Sequence, residues 1–273
     1  MLAALKDNMV PTMLNCRTIF LSDVHLGCKD CRADYLLSFL EQSQASTIYL
    51  LGDIVDLWAM RKQVHWTPGQ NKVLRCLLDK AEQGVEVVYI PGNHDEAMRL
   101  YAGKSFGNIR IALRGCHTTL QGKKLLLLHG DEFDKEVNFG RAHAWLGDNL
   151  YDFLLFLNRW YNRARRLTGG SYFSLAAYIK SKVPGAKKAI ARYRAAAIAK
   201  AKRGGFDGVV CGHIHHPEIR LQHGIIYCND GDWIDSCTAL IEQLDGSLAL
   251  YHWTEQAEKI AALPLAVSGK KAA

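Results

Sequence analysis

The chain has no aspartate or glutamate between Asp152 and Asp207. Thirteen of its 34 lysines and arginines fall inside that gap, at 159–203. The other 21 face 27 acids, so the overall charge of +7 hides a body of net −6 carrying one basic insert. Solvated faces normally mix signs. A patch of one sign calls for an anionic partner: nucleic acid, nucleotide or anionic lipid. No run reaches the ~18 uncharged apolar residues that span a bilayer. Lys6 and Asp7 interrupt MLAALKDNMVPTML before any small-residue cleavage site, so no signal peptide is expected. The eight cysteines lack regular spacing, and Cys28 and Cys31 in CKDC have no second CxxC to complete a zinc site. That pair reads as incidental thiols rather than a redox couple. Cys76, Cys211 and Cys228 sit in apolar runs as small hydrophobes. This usage suits a reducing cytoplasm. There is no internal repeat.

With 49% apolar residues, the 273-residue chain is globular and long enough for a large core. TIFLSD, TIYLLGD, VEVVYIPGN, KLLLLHG and GVVCGH each read as a strand followed by a turn. DYLLSFLEQ and NKVLRCLLDKAEQG have helical spacing, the second closed by Gly84. GIIYCNDGDW and SLALYHW suggest further strands. The alternation predicts an α/β sheet covered by helices. It is broken at 139–203 by long helical stretches, which predict a cap inserted into a domain spanning 17–253. Residues 1–16 and 260–273 are expected to be flexible.

Each of the five apolar runs ends in a metal-capable residue. Asp23 and His25 follow the first, Asp53 the second, Asn93, His94 and Asp95 the third, His129 the fourth, and His213 and His215 the fifth. In an extended segment i and i+2 point the same way, so Asp23 and His25 would aim at one point. A single Asp-X-His is also an ordinary capped turn, and Asp and Asn are turn formers. Five such endings in order are hard to attribute to turn chemistry, and α/β proteins place sites at strand ends. Glycines 52, 92, 130 and 212 allow close backbone approach there. Two acids, one amide and four imidazoles exceed the needs of one metal and fit two divalent ions sharing a carboxylate. Oxygen and imidazole without thiolate suit Mn²⁺, Fe or Zn, with Mn²⁺ the expected metal, and speak against Ca²⁺.

The ordered set D-x-H, G-D-x-x-D, G-N-H-D/E, H and G-H-x-H resembles the calcineurin-like metallophosphoesterase superfamily from residue 18 to about 216. The resemblance implies two mixed β-sheets packed as a sandwich with helices outside. It implies Asp23, His25 and His215 on a first metal, Asn93, His129 and His213 on a second, and Asp53 bridging. His94 would protonate the leaving oxygen or stabilise charge on the phosphate, and Asp95 would orient His94. Within the superfamily the chain is similar to the UDP-2,3-diacylglucosamine pyrophosphohydrolases of lipid A synthesis. That similarity rests on FLSDVHLG, the element order, a helical cap between His129 and His213, and NDGDWIDSCT after the last motif. Those enzymes usually carry Arg where this chain has His94. The implied reaction cleaves a nucleotide-linked lipid to UMP and a lipid monophosphate, with Asn93, His94, Arg192 and Arg194 as substrate contacts.

The cap opens with LYDFLLFLNRWY, apolar nearly all round, which is either a core helix or a face for something oily. In AKKAIARYRAAAIAKAKR, Ile190, Tyr193, Ala197 and Ala201 share one face, with Lys187, Arg194 and Lys202 elsewhere. Apolar bulk beside a basic helix suits an anionic membrane surface or an acyl-bearing anionic substrate, and nucleic acid also attracts basic helices. The expected location is the cytoplasm, peripheral on the inner membrane. The alternative on the same metals is a nuclease or cyclic-nucleotide phosphodiesterase, though nucleic acid is not the expected partner. A scaffold without catalysis would tolerate ligand loss, and here every ligand position is filled. Oligomeric state is left open.

Overall fold

The computed structural model describes residues 13–137, 157–158, 160–163, 165, 167–182 and 184–265. The chain divides into two compact units, Met1–Asp131 with Ile198–Ala273, and Glu132–Ala197.

In the first unit the strands are β1 (Leu14–Leu21), β2 (Ser43–Gln44), β3 (Thr47–Leu50), β4 (Glu86–Tyr89), β5 (Ser105–Phe106), β6 (Ile109–Ile111), β7 (Gly115–Thr118), β8 (Lys124–Leu127), β9 (Gly208–Cys211), β10 (Glu218–Gln222), β11 (Ile225–Asn229), β12 (Thr238–Gln243), β13 (Leu248–Trp253) and β14 (Ala257–Leu263). One mixed sheet has the order β14-β13-β12-β1-β3-β4-β6-β5, with β2 beside β1. The other is β10-β11-β9-β8-β7. Their inner faces share one core: Phe20, Tyr49, Val88 and Leu250 of the first sheet with Leu125, Leu127, Val210 and Ile226 of the second. The strand pattern predicts the α/β class with covering helices, and the two-sheet sandwich is the one the family resemblance implies. The apolar runs are continuous rather than alternating because both faces of these strands are covered: Ile19, Phe20 and Leu21 are all fully buried.

Helix α1 (Ala33–Glu41) buries Ala33, Leu36, Phe39 and Leu40, one face at helical spacing. Helix α2 (Leu57–Lys62) starts at Asp56, whose side chain caps it by accepting from Ala59 N–H. Helix α3 (Pro68–Glu82) is capped by Thr67, carries Pro68 in its first turn, and ends before Gly84 at φ 94°.

The termini correct the expected boundaries. Residues 14–16 are strand, with Leu14 and Cys16 buried, because β1 pairs with β2 there. Residues 260–263 are also strand, since β14 pairs antiparallel with β13. The alanine-rich AEKIAAL gives little strand signal of its own; the partner's free edge decides it. Residues 1–12 and 266–273, expected to be flexible, lie outside the described residues.

The second unit carries its own contacts. Buried Phe133 and Tyr193 meet edge to face with centroids 5.3 Å apart. Asn162 exchanges hydrogen bonds with Phe173, and Asn158 accepts from Leu175 N–H. On the helix Pro184–Arg203, Tyr193, Ala197 and Ala201 are buried as spacing predicts, while Ile190 is half-buried. Arg192 is exposed and Arg194 half-buried. Residues 150–156 of the apolar stretch lie outside the described residues. No helix among the described residues is long and apolar enough to cross a membrane.

Candidate metal centre

Strands β1, β3 and β4 run parallel, as do β8 and β9, so the turns after them gather at matching ends of the two sheets. The turns then bond to one another. Asp23 N–H donates to Gly52 O, Val24 and His25 N–H to Asp53 O, and Gly212 N–H to His129 O. A Cβ on Gly92 would overlap Asp53 Oδ1, and one on Gly212 would overlap Ser22 Oγ and Asp23 Oδ2. Glycine at these two positions is therefore required by approach of the ligand carboxylates.

Strand alternation does not orient Asp23 and His25. β1 ends at Leu21, and both residues are left-handed, with φ 51° and 52°. Asp53, His213 and His215 share that conformation at φ 54°, 69° and 49°. Each such residue costs roughly 1–3 kcal/mol, and such strain collects where function over-determines the backbone. Asp and His tolerate the region better than most.

The side chains converge in two linked groups. In the first, His215 Nε2 lies 3.1 Å and His25 Nε2 3.7 Å from Asp23 Oδ1. In the second, His129 Nε2 lies 3.3 Å from Asp53 Oδ2 and 3.2 Å from Asn93 Oδ1, with the His213 ring 5.1 Å away. Asp53 Oδ2 is also 3.9 Å from His25 Nε2, so it stands between the groups. Ligand atoms of Asp23, His25 and His215, and of Asp53, His129 and His213, each fall within 4.8 Å of one another. His129 Nδ1 donates to Leu51 O at 2.8 Å, which leaves Nε2 as the nitrogen turned to Asp53 and Asn93. Asp23 Oδ1 and His25 Nε2 are buried without a hydrogen-bond partner among the described residues. Unsatisfied polar atoms facing each other in a buried cluster fit cation ligation. The set brought together is the one the sequence order suggested, and its oxygen and imidazole donors fit two divalent ions.

The electrostatics agree with a cation site. Burial pushes the Asp23 carboxyl up, yet His215 and His25 hold it well below the usual carboxylate range. Burial opposes charge on His25, yet Asp23, Asp56 and Asp53 raise it well above an ordinary imidazole. Against the same burial, Asp53 is lowered to about 2 by His129, and His129 raised to about 10 by Asp53. Positive charge is thus favoured at these nitrogens, and a bound metal would displace their protons.

Asp95 does not orient His94. Its carboxylate accepts from the N–H groups of Asp53, Ile54 and Gly92 and from the Tyr89 hydroxyl. It holds the turn that carries Asp53. The residue on His94 is Asp56, whose Oδ1 is 2.9 Å from His94 Nδ1 while its Oδ2 is 3.0 Å from His25 Nδ1. Burial pushes the Asp56 carboxyl up, but His25 and His94 hold it far below the carboxylate range. Asp56 is the second acid of GDIVD, so the signal was present in the motif; its direction was not. Trp58 packs against the imidazole, its ring 4.4 Å from that of His94. Asp56→Asn should weaken Mn²⁺ binding ~10–100-fold, the usual effect of losing a carboxylate behind a metal-ligating histidine. Calorimetric titration with Mn²⁺ checks it; unchanged affinity would limit Asp56 to His94.

Arg192 and Arg194, the expected substrate contacts, belong to the second unit. All eight cysteines are free thiols, and none belongs to either ligand group.

The chain belongs to the calcineurin-like phosphoesterase family, which matches residues 16–217. It is similar to the UDP-2,3-diacylglucosamine hydrolase of Porphyromonas gingivalis, 33% identical over 127 residues, 43% of this chain and 47% of that protein. The chain thus spans about half the length of that relative. It is also similar to the UDP-2,3-diacylglucosamine hydrolase of Neisseria meningitidis serogroup B, 26% identical over 250 residues, 85% of this chain and 95% of that one. Among solved structures, the Escherichia coli phosphoesterase YfcE is 18% identical with a TM-score of 0.49, over 91% of this chain and 99% of that chain.

Proposed function

We propose that the protein is a two-metal phosphoesterase that hydrolyses the pyrophosphate bond of UDP-2,3-diacylglucosamine, or a similar nucleotide-linked lipid, to UMP and a lipid monophosphate. The observation that carries the reaction class is the pair of ligand groups joined by Asp53, with His94 beside them. Similarity to two UDP-2,3-diacylglucosamine hydrolases supports the substrate. Asp23, His25 and His215 would hold one divalent ion, Asn93, His129 and His213 the other, with Asp53 between; Mn²⁺ is the expected metal, Fe or Zn the alternatives. When bound, two such ions supply a nucleophile at neutral pH and stabilise phosphoryl oxygens. His94, held at Nδ1 by Asp56 and packed against Trp58, gives its other nitrogen's proton to the leaving oxygen or stabilises the charge developing on the phosphate. Release of UMP from UDP-2,3-diacylglucosamine tests the reading, beside cyclic nucleotides and single-stranded DNA. Turnover of DNA without turnover of the lipid would replace it with a nuclease.

The basic insert at 139–203 acts as a cap that meets an anionic membrane, placing the enzyme at the cytoplasmic face, with Arg192 and Arg194 on the substrate. Each cation near such a surface contributes ~1 kcal/mol, fading beyond a Debye length. Arg165 packs on Tyr161 and Phe173 and donates to Ser171 O. Arg163, Lys187 and Lys188 are exposed. Their replacement by Gln should weaken low-salt sedimentation with anionic vesicles roughly 10–100-fold. It should spare hydrolysis of bis-p-nitrophenyl phosphate. Wild-type protein that ignores vesicles at low salt would overturn the membrane reading.

A further inference from the structure

Ser22 is buried immediately before Asp23. Its hydroxyl lies 2.6 Å from Asp23 Oδ2, 2.7 Å from Asp230 Oδ1 and 3.3 Å from Gly231 O. A serine hydroxyl has one proton to donate. Both short contacts have the length of strong O–H···O bonds, and both reach carboxyl oxygens. One proton cannot serve two ionised carboxylates, so one carboxyl group must bring its own. Asp23 is the ionised one: its Oδ2 also accepts from His213 N–H at 2.8 Å, and imidazoles face its Oδ1.

Asp230 has the opposite surroundings. It is fully buried, and its Oδ2 has no hydrogen-bond partner among the described residues. A bare ionised oxygen there would cost several kcal/mol, whereas a neutral carboxylic acid leaves at most a carbonyl unpaired. Burial first, then the Asp23 charge, push this carboxyl well above the carboxylate range despite the Ser22 contact. The backbone around it is fixed: Thr238 Oγ1 donates to Asp230 O, and Asn229 Nδ2 donates to Gly212 O beside His213. This is the start of NDGDWIDSCT, a stretch to which the metal ligands assign no role.

We propose that Asp230 is a positioning residue of the metal centre, a neutral acid that donates to Ser22, which donates to Asp23 Oδ2. With Oδ2 held by Ser22 and His213 N–H, Asp23 Oδ1 is left aimed at His25 and His215. A neutral Asp230 also adds no further negative charge to a site that already holds the carboxylates of Asp23 and Asp53, with Asp56 behind His25 and Asp232 4.0 Å from His215 Nδ1. The inference rests on the two-metal reading above, and its test uses no substrate.

In full-length metal-free protein with ¹³C-labelled aspartate, infrared spectra at neutral pH should contain the carbonyl band of a protonated carboxyl group. Asp230→Asn should remove that band, and Ser22→Ala should shift it. In Mn²⁺ titrations, Asp230→Asn, still a neutral donor, should bind both ions within a few-fold of wild type. Asp230→Ala and Ser22→Ala should weaken one of the two sites ~10–100-fold and spare the other. Absence of the band in wild type overturns the proposal, as does a band indifferent to Ser22→Ala. So does Asp230→Asn losing Mn²⁺ as severely as Asp230→Ala. If wild type binds no Mn²⁺, the metal reading fails, while the band still reports on Asp230. A wrong choice of substrate moves none of these measurements.

Discussion

Asp53→Asn should leave the protein folded and remove its phosphoesterase activity. The variant keeps an oxygen for the His94 N–H that donates to Asp53 Oδ1 at 2.8 Å. The turn itself is held separately, by Asp95 on the N–H groups of Asp53 and Ile54. What disappears is the charge at Oδ2, between His129 at 3.3 Å and His25 at 3.9 Å. A carboxylate bridging two dications at contact distance is worth several kcal/mol to each, even at an effective dielectric near 20. Metal affinity should therefore fall more than ~10³-fold, and turnover with it. Elemental analysis after dialysis against a chelator and Mn²⁺ add-back should find fewer than two ions per chain. Two tightly held ions with wild-type turnover would show that Asp53 is no bridge.

His94→Ala is the second large effect, and it should separate chemistry from metal binding. His94 is anchored at Nδ1 by Asp56, and one of its ring nitrogens falls within 4.8 Å of ligand atoms of His25 and Asp53. A positioned general acid is worth about 10²–10⁴ in rate. The variant should lose that factor in kcat, with KM little changed and both Mn²⁺ ions retained. Loss of one ion instead would make His94 a ligand, and full activity would make it a bystander. A substrate whose leaving group departs without protonation, such as a p-nitrophenyl ester, should recover part of the rate; equal loss on both substrates would assign His94 to phosphate stabilisation.

Much of this centre is legible in the order of residues, for a physical reason. A buried strand shows itself as an apolar run, and the residue just past its end has nowhere to go but the sheet edge. When parallel strands repeat this, their turns must gather at one end, so Asp23, Asp53, Asn93, His129 and His213 meet whatever the detailed path of each loop. The α/β class follows from the same runs, and the single-signed charge of 159–203 is plain in composition.

Direction was settled only by packing. Asp95 is next to His94 in the chain and Asp56 is 38 residues away, yet Asp56 reaches the imidazole while Asp95 turns back to the 53–55 backbone. Spacing says which residues share a turn; it does not say which neighbouring turn each will face. Asp23 and His25 converge through left-handed backbone, not strand alternation, because Gly52 O and Asp53 O capture the N–H groups of 23–25 from outside the segment. β14 is strand because β13 offers it an edge. The Ser22–Asp230 contact joins residues 208 apart in the chain. The sequence by itself determines which chemical groups reach the end of the sandwich. The tertiary structure decides which oxygen each donor meets, because hydrogen bonds fail within about an ångström while hydrophobic periodicity specifies position only to a face.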